Sequence, residues 1–265
     1  MIRVAVIGAA GRMGAEVCRA VDGADDLALV AAVDPSGAGR ALSEVAGIDT
    51  DLTIAGELDA LTAADVEVAV DFTHPDVVRD NLAWLLDHDI HAVVGTTGLA
   101  PEDVDDLRAR AQGADANALL APNFAIGAVL MMEFAARAAQ HMPHVEIIEL
   151  HHDNKADAPS GTALRTVDLI AEARREAGGD VPEPIGGDER HPGARGSNEQ
   201  GVVVHSVRLP GLVAHQEVLL GGLGQTLSIR HDSIDRTSFM PGVLLAVRAV
   251  GDLDEALVVG LEHLL

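Results

Sequence analysis

Met1-Ile-Arg-Val-Ala-Val-Ile-Gly-Ala-Ala-Gly-Arg-Met-Gly14 opens the chain, and this stretch decides the fold. Ile2 to Ile7 is an almost unbroken apolar run, the mark of a strand buried on both faces, as in a parallel sheet. Gly8-Ala-Ala-Gly-Arg-Met-Gly14 follows at once, and a helical pattern runs on from Ala15 to about Val21. A strand, a glycine turn and a helix in this order place backbone N–H groups where a dinucleotide pyrophosphate rests on a helix N-terminus. The spacing Gly8-x-x-Gly11-x-x-Gly14 departs from the usual G-x-G-x-x-G, so a tight turn without a ligand is the competing reading.

Working outward, Leu27–Val33 is a second apolar strand, closed by Asp34 and Pro35. Asp34 stands 20 residues after Gly14, where an acid accepts hydrogen bonds from the adenosine ribose hydroxyls. A carboxylate there repels a 2′-phosphate, which predicts NADH over NADPH, although Arg12 and Arg40 are nearby cations that soften the choice. Glu67–Phe72, Ile90–Val94 and Ala118–Leu120 read as further strands, with helices over Pro75–Asp87 and Pro101–Gln112 between them. Strands alternating with helices give an α/β, Rossmann-like, doubly wound parallel sheet. Gly95-Thr96-Thr97-Gly98 then falls at the carboxyl edge of that sheet, on the nicotinamide side, unless it is a plain turn.

The pattern changes after Pro122. A helix over about Ile126–His141 leads to a strand, His144–Leu150, and a second helix runs over about Thr162–Ala177. Gly178–Gln200 reads as a loop, and Val202–Arg208, Ala214–Gly221 and Gln225–His231 as antiparallel strands. A last helix spans Pro241–Val250. This predicts a dinucleotide-binding domain over 1–121, with 237–265 returning to it, and an α+β domain with a mostly antiparallel sheet over 122–236.

Lysine and arginine together number 18, yet Lys155 is the only lysine. Arginine replaces lysine as a surface cation but not as a proton donor, because a guanidinium keeps its proton in proteins. Lys155 sits in Glu149-Leu-His-His-Asp-Asn-Lys-Ala-Asp-Ala-Pro-Ser-Gly-Thr162, beside His151 and His152. Pro159-Ser160-Gly161-Thr162 reads as a helix N-terminus whose N–H and hydroxyl groups suit a carboxylate or phosphate. Together these groups predict a cationic pocket for a small anionic substrate, with proton donors at hand. Two structural histidines, or a metal site, are the alternatives. Adjacent strand residues point to opposite faces, which disfavours joint chelation, so no metal is expected.

The net charge of −24 disfavours duplex nucleic acid and anionic membranes as partners. High acid content with almost no lysine predicts a halophilic host and a fold that loosens at low salt. One cysteine, Cys18, excludes a disulfide framework. The first residues read as a strand rather than a signal peptide, and no apolar run has spanning length, so a cytoplasmic protein is expected. Tyrosine is absent, which removes the short-chain dehydrogenases with their Tyr-x-x-x-Lys pair. No G-x-S-x-G elbow supports a serine hydrolase.

Several of these segments recur, in order, in one family. Gly8–Gly14, Asp71-Phe-Thr73, Gly95–Gly98, Pro122-Asn-Phe124 and the long Glu149–Thr162 motif resemble 4-hydroxy-tetrahydrodipicolinate (dihydrodipicolinate) reductases of the diaminopimelate and lysine pathway. The last motif is the specific one; the glycine loop is common to many folds. The resemblance implies NADH or NADPH as cofactor, a small dicarboxylate substrate and a homotetramer. It implies that His151 takes and gives a proton, that Lys155 donates one, and that His152, Gly161 and Thr162 contact substrate. It further implies cofactor contacts at Gly95, Thr96 and Thr97 and at Pro122, Asn123, Phe124 and Ala125, beside those read in Gly8, Ala9, Ala10, Gly11, Arg12, Met13 and Gly14. Ala125 stands where many members carry serine, and Asp34-Pro35 where some carry Glu-Arg. Another two-domain amino-acid dehydrogenase, or an NADH sensor without catalysis, remain the rivals.

Overall fold

In the computed structural model the described residues are 1–178, 185 and 188–265. Residues 179–184 and 186–187, within the loop expected over Gly178–Gln200, lie outside the described residues. The chain divides into two compact units, one of Met1–Ala125 with Arg236–Leu265 and one of Ile126–Asp235. The first break falls a few residues later than the 121/122 boundary expected from the sequence.

Unit one opens with β1 (Ile2–Ile7), α1 (Arg12–Asp22) and β2 (Leu27–Val33). Two short helices, α2 (Leu42–Ala46) and α3 (Asp59–Ala63), precede β3 (Val68–Asp71). Then come α4 (Pro75–Asp87), β4 (His91–Val94), α5 (Pro101–Ala111) and β5 (Ala118–Leu120). The Val, Ile, Leu and Ala side chains of β1, β3, β4 and β5 are largely buried, so these strands are covered on both faces. Ile7, Leu82, Leu85, Leu86, Val94 and Leu107 lie at the heart of the core that joins sheet to helices. All pairings in this sheet are parallel, and with the late strand β11 (Leu257–Val259) the order is β11-β5-β4-β3-β1-β2. The chain leaves β1 on one side through β2 and returns on the other through β3. That switch point is where open parallel sheets bind ligands, beyond the carboxyl ends of the strands.

Unit two contains α6 (Ile126–Ala139), β6 (His144–His151), α7 (Gly161–Glu176), β7 (Ser197–Glu199), β8 (Val202–Arg208), β9 (Ala214–Gly222) and β10 (Gln225–Ser233). Its sheet runs β10-β9-β6-β8-β7. The sheet is mostly antiparallel, as expected: three pairings are antiparallel, and one, between β6 and β8, is parallel. The connection explains this: α7 lies between them in the chain, and a crossover that long returns the strand in the same direction. The chain then rejoins unit one as α8 (Met240–Ala249) and β11 (Leu257–Val259). Arg248 on α8 donates to both carboxylate oxygens of Asp26, at 2.7 and 2.8 Å. Among the described residues no helix is long and apolar enough to cross a membrane.

Candidate active site

Five loops meet at the carboxyl edge of the parallel sheet. Gly8 ends β1 at φ +82°, and a Cβ there would lie 2.5 Å from the Phe72 carbonyl oxygen. A Cβ on Gly14 would fall onto the Gly8 carbonyl, so α1 can start this close to β1 only with glycine at that position. Gly11 is the N-cap of α1 and has no side chain to offer the first turn, which also lacks an acidic residue. A helix N-terminus left uncapped, beside a backbone with no Cβ in the way, fits the pyrophosphate of a dinucleotide. Gly11 and Arg12 are exposed here and Met13 is half-buried, while Ala9 and Gly14 are buried.

Asp34 has a different task from the one its position suggested. It is buried, with one carboxylate oxygen accepting from Ala10 N at 3.0 Å and the other from Ser36 N and Oγ at 2.9 and 2.6 Å. The carboxylate therefore ties the glycine loop to the end of β2, and little of it is left for a ribose. Three donors occupy most of its roughly four lone-pair directions.

Asp71, at the end of β3, is the hub of the next two loops. It accepts from Thr73 N and Oγ1 at 2.9 and 2.7 Å, from Thr96 Oγ1 at 3.0 Å and from Asn81 Nδ2 at 2.8 Å. Burial raises its carboxyl above the usual range, against the pull of these donors. Thr73 N also donates to Thr96 Oγ1 at 2.7 Å. The Phe72 ring occupies the space a side chain on Gly95 would need and meets the Phe124 ring at 5.7 Å. Thr97, Gly98 and Pro122 are exposed on this edge; Phe124 and Ala125 are buried and offer only backbone. Asn123 Oδ1 accepts from Ala125 N at 2.9 Å, which holds the turn in shape.

The second cluster lies in unit two, where β6 ends. Val145, Ile147 and Glu149 share the buried face of this strand, so an acid occupies an apolar position. Glu149 is 0% exposed and receives Arg208 Nη1 and Nη2, one on each oxygen, both at 2.8 Å. Ser160 N donates to it at 3.2 Å and His151 Nδ1 lies 2.5 Å from it. Burial alone would raise this carboxyl, but hydrogen bonds from Arg208, Ser206 and His151 together hold it below its ordinary value. For His151, burial is the largest influence and pulls the imidazole down; Glu149 pushes it up, and the charges of Lys155 and Arg208 pull it down further.

Lys155 Nζ donates to both carboxylate oxygens of Asp157, at 2.8 and 2.9 Å, and its side chain is 22% exposed. The carbonyl of Asp157 in turn accepts from Arg208 Nη2 at 2.6 Å. His152 and Gly161 are exposed and Thr162 is half-buried. Ser160 departs from its expected role. It is 2% exposed and its hydroxyl accepts from Ala163 N at 3.2 Å, so it caps α7 and is not an open ligand group. Glu149 and Arg208 were not singled out from the sequence. The break in the apolar alternation of β6 was a signal for Glu149. Arg208 had none, because only the parallel pairing of β6 with β8 sets it opposite His151. Among the described residues no group of three or more His, Cys, Asp or Glu could hold a metal ion.

A parallel sheet whose carboxyl edge carries an uncapped helix N-terminus cleared by glycines defines a dinucleotide-binding, Rossmann-like protein. Comparison with known proteins narrows the class. Residues 2–124 match the family described as "Dihydrodipicolinate reductase, N-terminus" and residues 127–265 the one described as "Dihydrodipicolinate reductase, C-terminus". The chain is 53% identical over 265 residues to the 4-hydroxy-tetrahydrodipicolinate reductase of Mycolicibacterium gilvum, covering 100% of this chain and 99% of that one. It is 49% identical over 267 residues to the enzyme of the same name from Halalkalibacterium halodurans, covering 100% of both. A solved structure described as dipicolinate-bound dihydrodipicolinate reductase from Paenisporosarcina sp. TG-14 superposes with a TM-score of 0.88, at 41% identity and with 100% of both chains covered. The chain belongs to the dihydrodipicolinate reductase family, and that makes it an NAD(P)H-dependent oxidoreductase. An amine dehydrogenase from Mycobacterium smegmatis, 14% identical with a TM-score of 0.69 over 97% of this chain and 94% of that one, shares the fold alone. The rival reading as a different two-domain dehydrogenase therefore falls.

Proposed function

We propose that the chain reduces the hydroxylated cyclic adduct of pyruvate and aspartate semialdehyde to tetrahydrodipicolinate, in diaminopimelate and lysine biosynthesis. The observation that carries this is the unit-two cluster, in which His151 and Lys155 stand as proton-transfer groups beside the Gly161 turn that starts α7. Loss of water takes a proton from a ring carbon and gives one to the departing hydroxyl. A hydride and a proton then add across the carbon–carbon double bond. Gly11, Arg12 and Met13 at the start of α1 would hold the pyrophosphate of NAD(P)H, and Thr96, Thr97 and the Pro122–Ala125 turn its nicotinamide half; the cofactor would supply the hydride when bound.

His151 takes and returns the carbon-bound proton, and Lys155 donates to the departing oxygen. His152, Gly161 and Thr162 hold the two carboxylates. The dipicolinate named for the Paenisporosarcina structure is such a dicarboxylate and supports this class of substrate. The test is NADH oxidation with the coupled product of pyruvate and aspartate semialdehyde. Tight NADH binding without oxidation would overturn the assignment.

A neutral His151 is needed to take up a proton, and burial pulls this imidazole below its ordinary 6.5. The folded enzyme therefore keeps it neutral to lower pH than a free histidine. kcat/KM is expected to fall on the acid side with a midpoint below 6.5, read from a pH–rate profile; a midpoint above it would contradict the role.

NADH preference is also part of the reading: the Asp34 carboxylate, which accepts from Ala10 and Ser36, repels a 2′-phosphate, and Pro35 offers no cation to one. KM is expected to be lower for NADH than for NADPH, and Asp34→Asn is expected to weaken both cofactors, because it loosens the glycine loop. A large NADPH preference in the wild type would contradict this.

A homotetramer and a cytoplasmic location complete the proposal. Support for assembly through β10 comes from its place at the sheet edge and the exposure of Leu223 and Leu227. Support for a halophilic host comes from the charge of −24. The melting temperature is expected to rise between dilute buffer and molar KCl, and an unchanged value would refute the halophilic reading.

A further inference from the structure

We infer that Glu149 is a positioning residue that locks His151 in the Nδ1–H tautomer, with Arg208 holding the carboxylate in place, so that Nε2 is the nitrogen left to exchange protons. This deepens the function proposed above and rests on it for the role of His151, but the tautomer itself does not.

The geometry is over-determined. Glu149 Oε2 receives Arg208 Nη1 at 2.8 Å and faces His151 Nδ1 at 2.5 Å. Oε1 receives Arg208 Nη2 at 2.8 Å and Ser160 N at 3.2 Å. An arginine and a backbone N–H cannot become acceptors, and together they meet both oxygens. A proton on this carboxyl would have to displace one of them. The carboxylate therefore stays an acceptor, and the ring nitrogen facing it must carry hydrogen. Glu149, Arg208 and His151 come from β6 and β8, whose parallel register pairs His151 with Arg208, so the lock is built on strands and not on a mobile loop.

The same counting says what an amide would do. In Glu149→Gln one of the two oxygens becomes NH2. At the Oε1 place it would meet Arg208 Nη2 and Ser160 N, neither of which can accept. At the Oε2 place it would meet Arg208 Nη1 and His151, and the imidazole can switch. The amide nitrogen is driven to the histidine side, and His151 turns to the Nε2–H tautomer, with Nδ1 as acceptor. Its outer nitrogen then no longer accepts a proton.

The experiment is two-bond 1H–15N correlation NMR of the imidazole nitrogens in the full-length enzyme, above the ordinary imidazole value of 6.5. The His151 signals are identified by their loss in His151→Ala. Wild type is expected to show a pyrrole-type Nδ1 and a pyridine-type Nε2, and Glu149→Gln the reverse. A pyridine-type Nδ1 in the wild type overturns the inference without recourse to any variant, so a Glu149→Gln chain that does not fold leaves it testable. In the folded variant kcat is expected to fall about 10²-fold or more, with Kd for NADH within about threefold of wild type. An unchanged tautomer in Glu149→Gln would also overturn it. If His151→Ala keeps wild-type turnover, the proposed function fails while the tautomer result stands by itself.

Discussion

Lys155→Ala is expected to lower kcat by about 10²–10⁴-fold, the usual worth of one positioned proton donor, while NADH binding stays near wild type. The ammonium is the only lysine nitrogen in the chain, and the fold places it on a short tether after β6, with both oxygens of Asp157 within 2.9 Å. Asp157 is itself pinned through its carbonyl by Arg208. Truncation leaves this frame standing and removes only the group that gives the proton. Lys155→Arg separates charge from chemistry. A guanidinium keeps the positive charge and a partner for Asp157, but it does not part with its proton. It is expected to fail nearly as badly as alanine. The measurement is steady-state turnover beside fluorescence titration of NADH; wild-type rates in the arginine variant would refute the acid role.

Gly14→Ala is expected to weaken NADH binding by about 10–100-fold. The added methyl has no room: it would sit on the carbonyl of Gly8, with Ala9 Cα behind it, and both are backbone atoms. Forcing a methyl into a packed site costs about 1–3 kcal/mol. At about 1.4 kcal/mol per tenfold, that strain becomes a loss of affinity if it moves the loop that holds the pyrophosphate. Gly11→Ala is the comparison, because its nearest obstacle is the Gly8 oxygen at 3.2 Å and a shift of a few tenths of an ångström relieves it. Titration calorimetry with NADH, alongside thermal melting, reads both variants. Equal affinity in wild type and Gly14→Ala would remove the loop from the cofactor site.

Much of unit one was legible because its strands are buried on both faces. Leu27–Val33 and Ala118–Leu120 were read to the residue, and so was the helix Pro75–Asp87, whose proline sits at the first helical position. Elements without that contrast were missed. Ser197–Glu199 is a strand of three polar residues, and Leu257–Val259 is too short to show a period. The helices at Leu42–Ala46 and Asp59–Ala63, five residues each, have the same difficulty. Their conformation comes from the neighbours they pair with or pack on, not from their own pattern.

For the site, the chain order alone was enough to mark the glycine loop, the lone Lys155 and the His151–Thr162 segment, because those signals are local: residue types at short fixed spacings. The tasks of Asp34 and Ser160 were decided by tertiary structure, since only folding shows that Ala10 and Ser36 take the carboxylate of the one and Ala163 the hydroxyl of the other. Glu149 and Arg208, 59 residues apart, became partners only when β8 crossed over to lie parallel to β6. A hydrogen bond depends on distance in space, and no periodicity along a chain encodes that for residues so far apart.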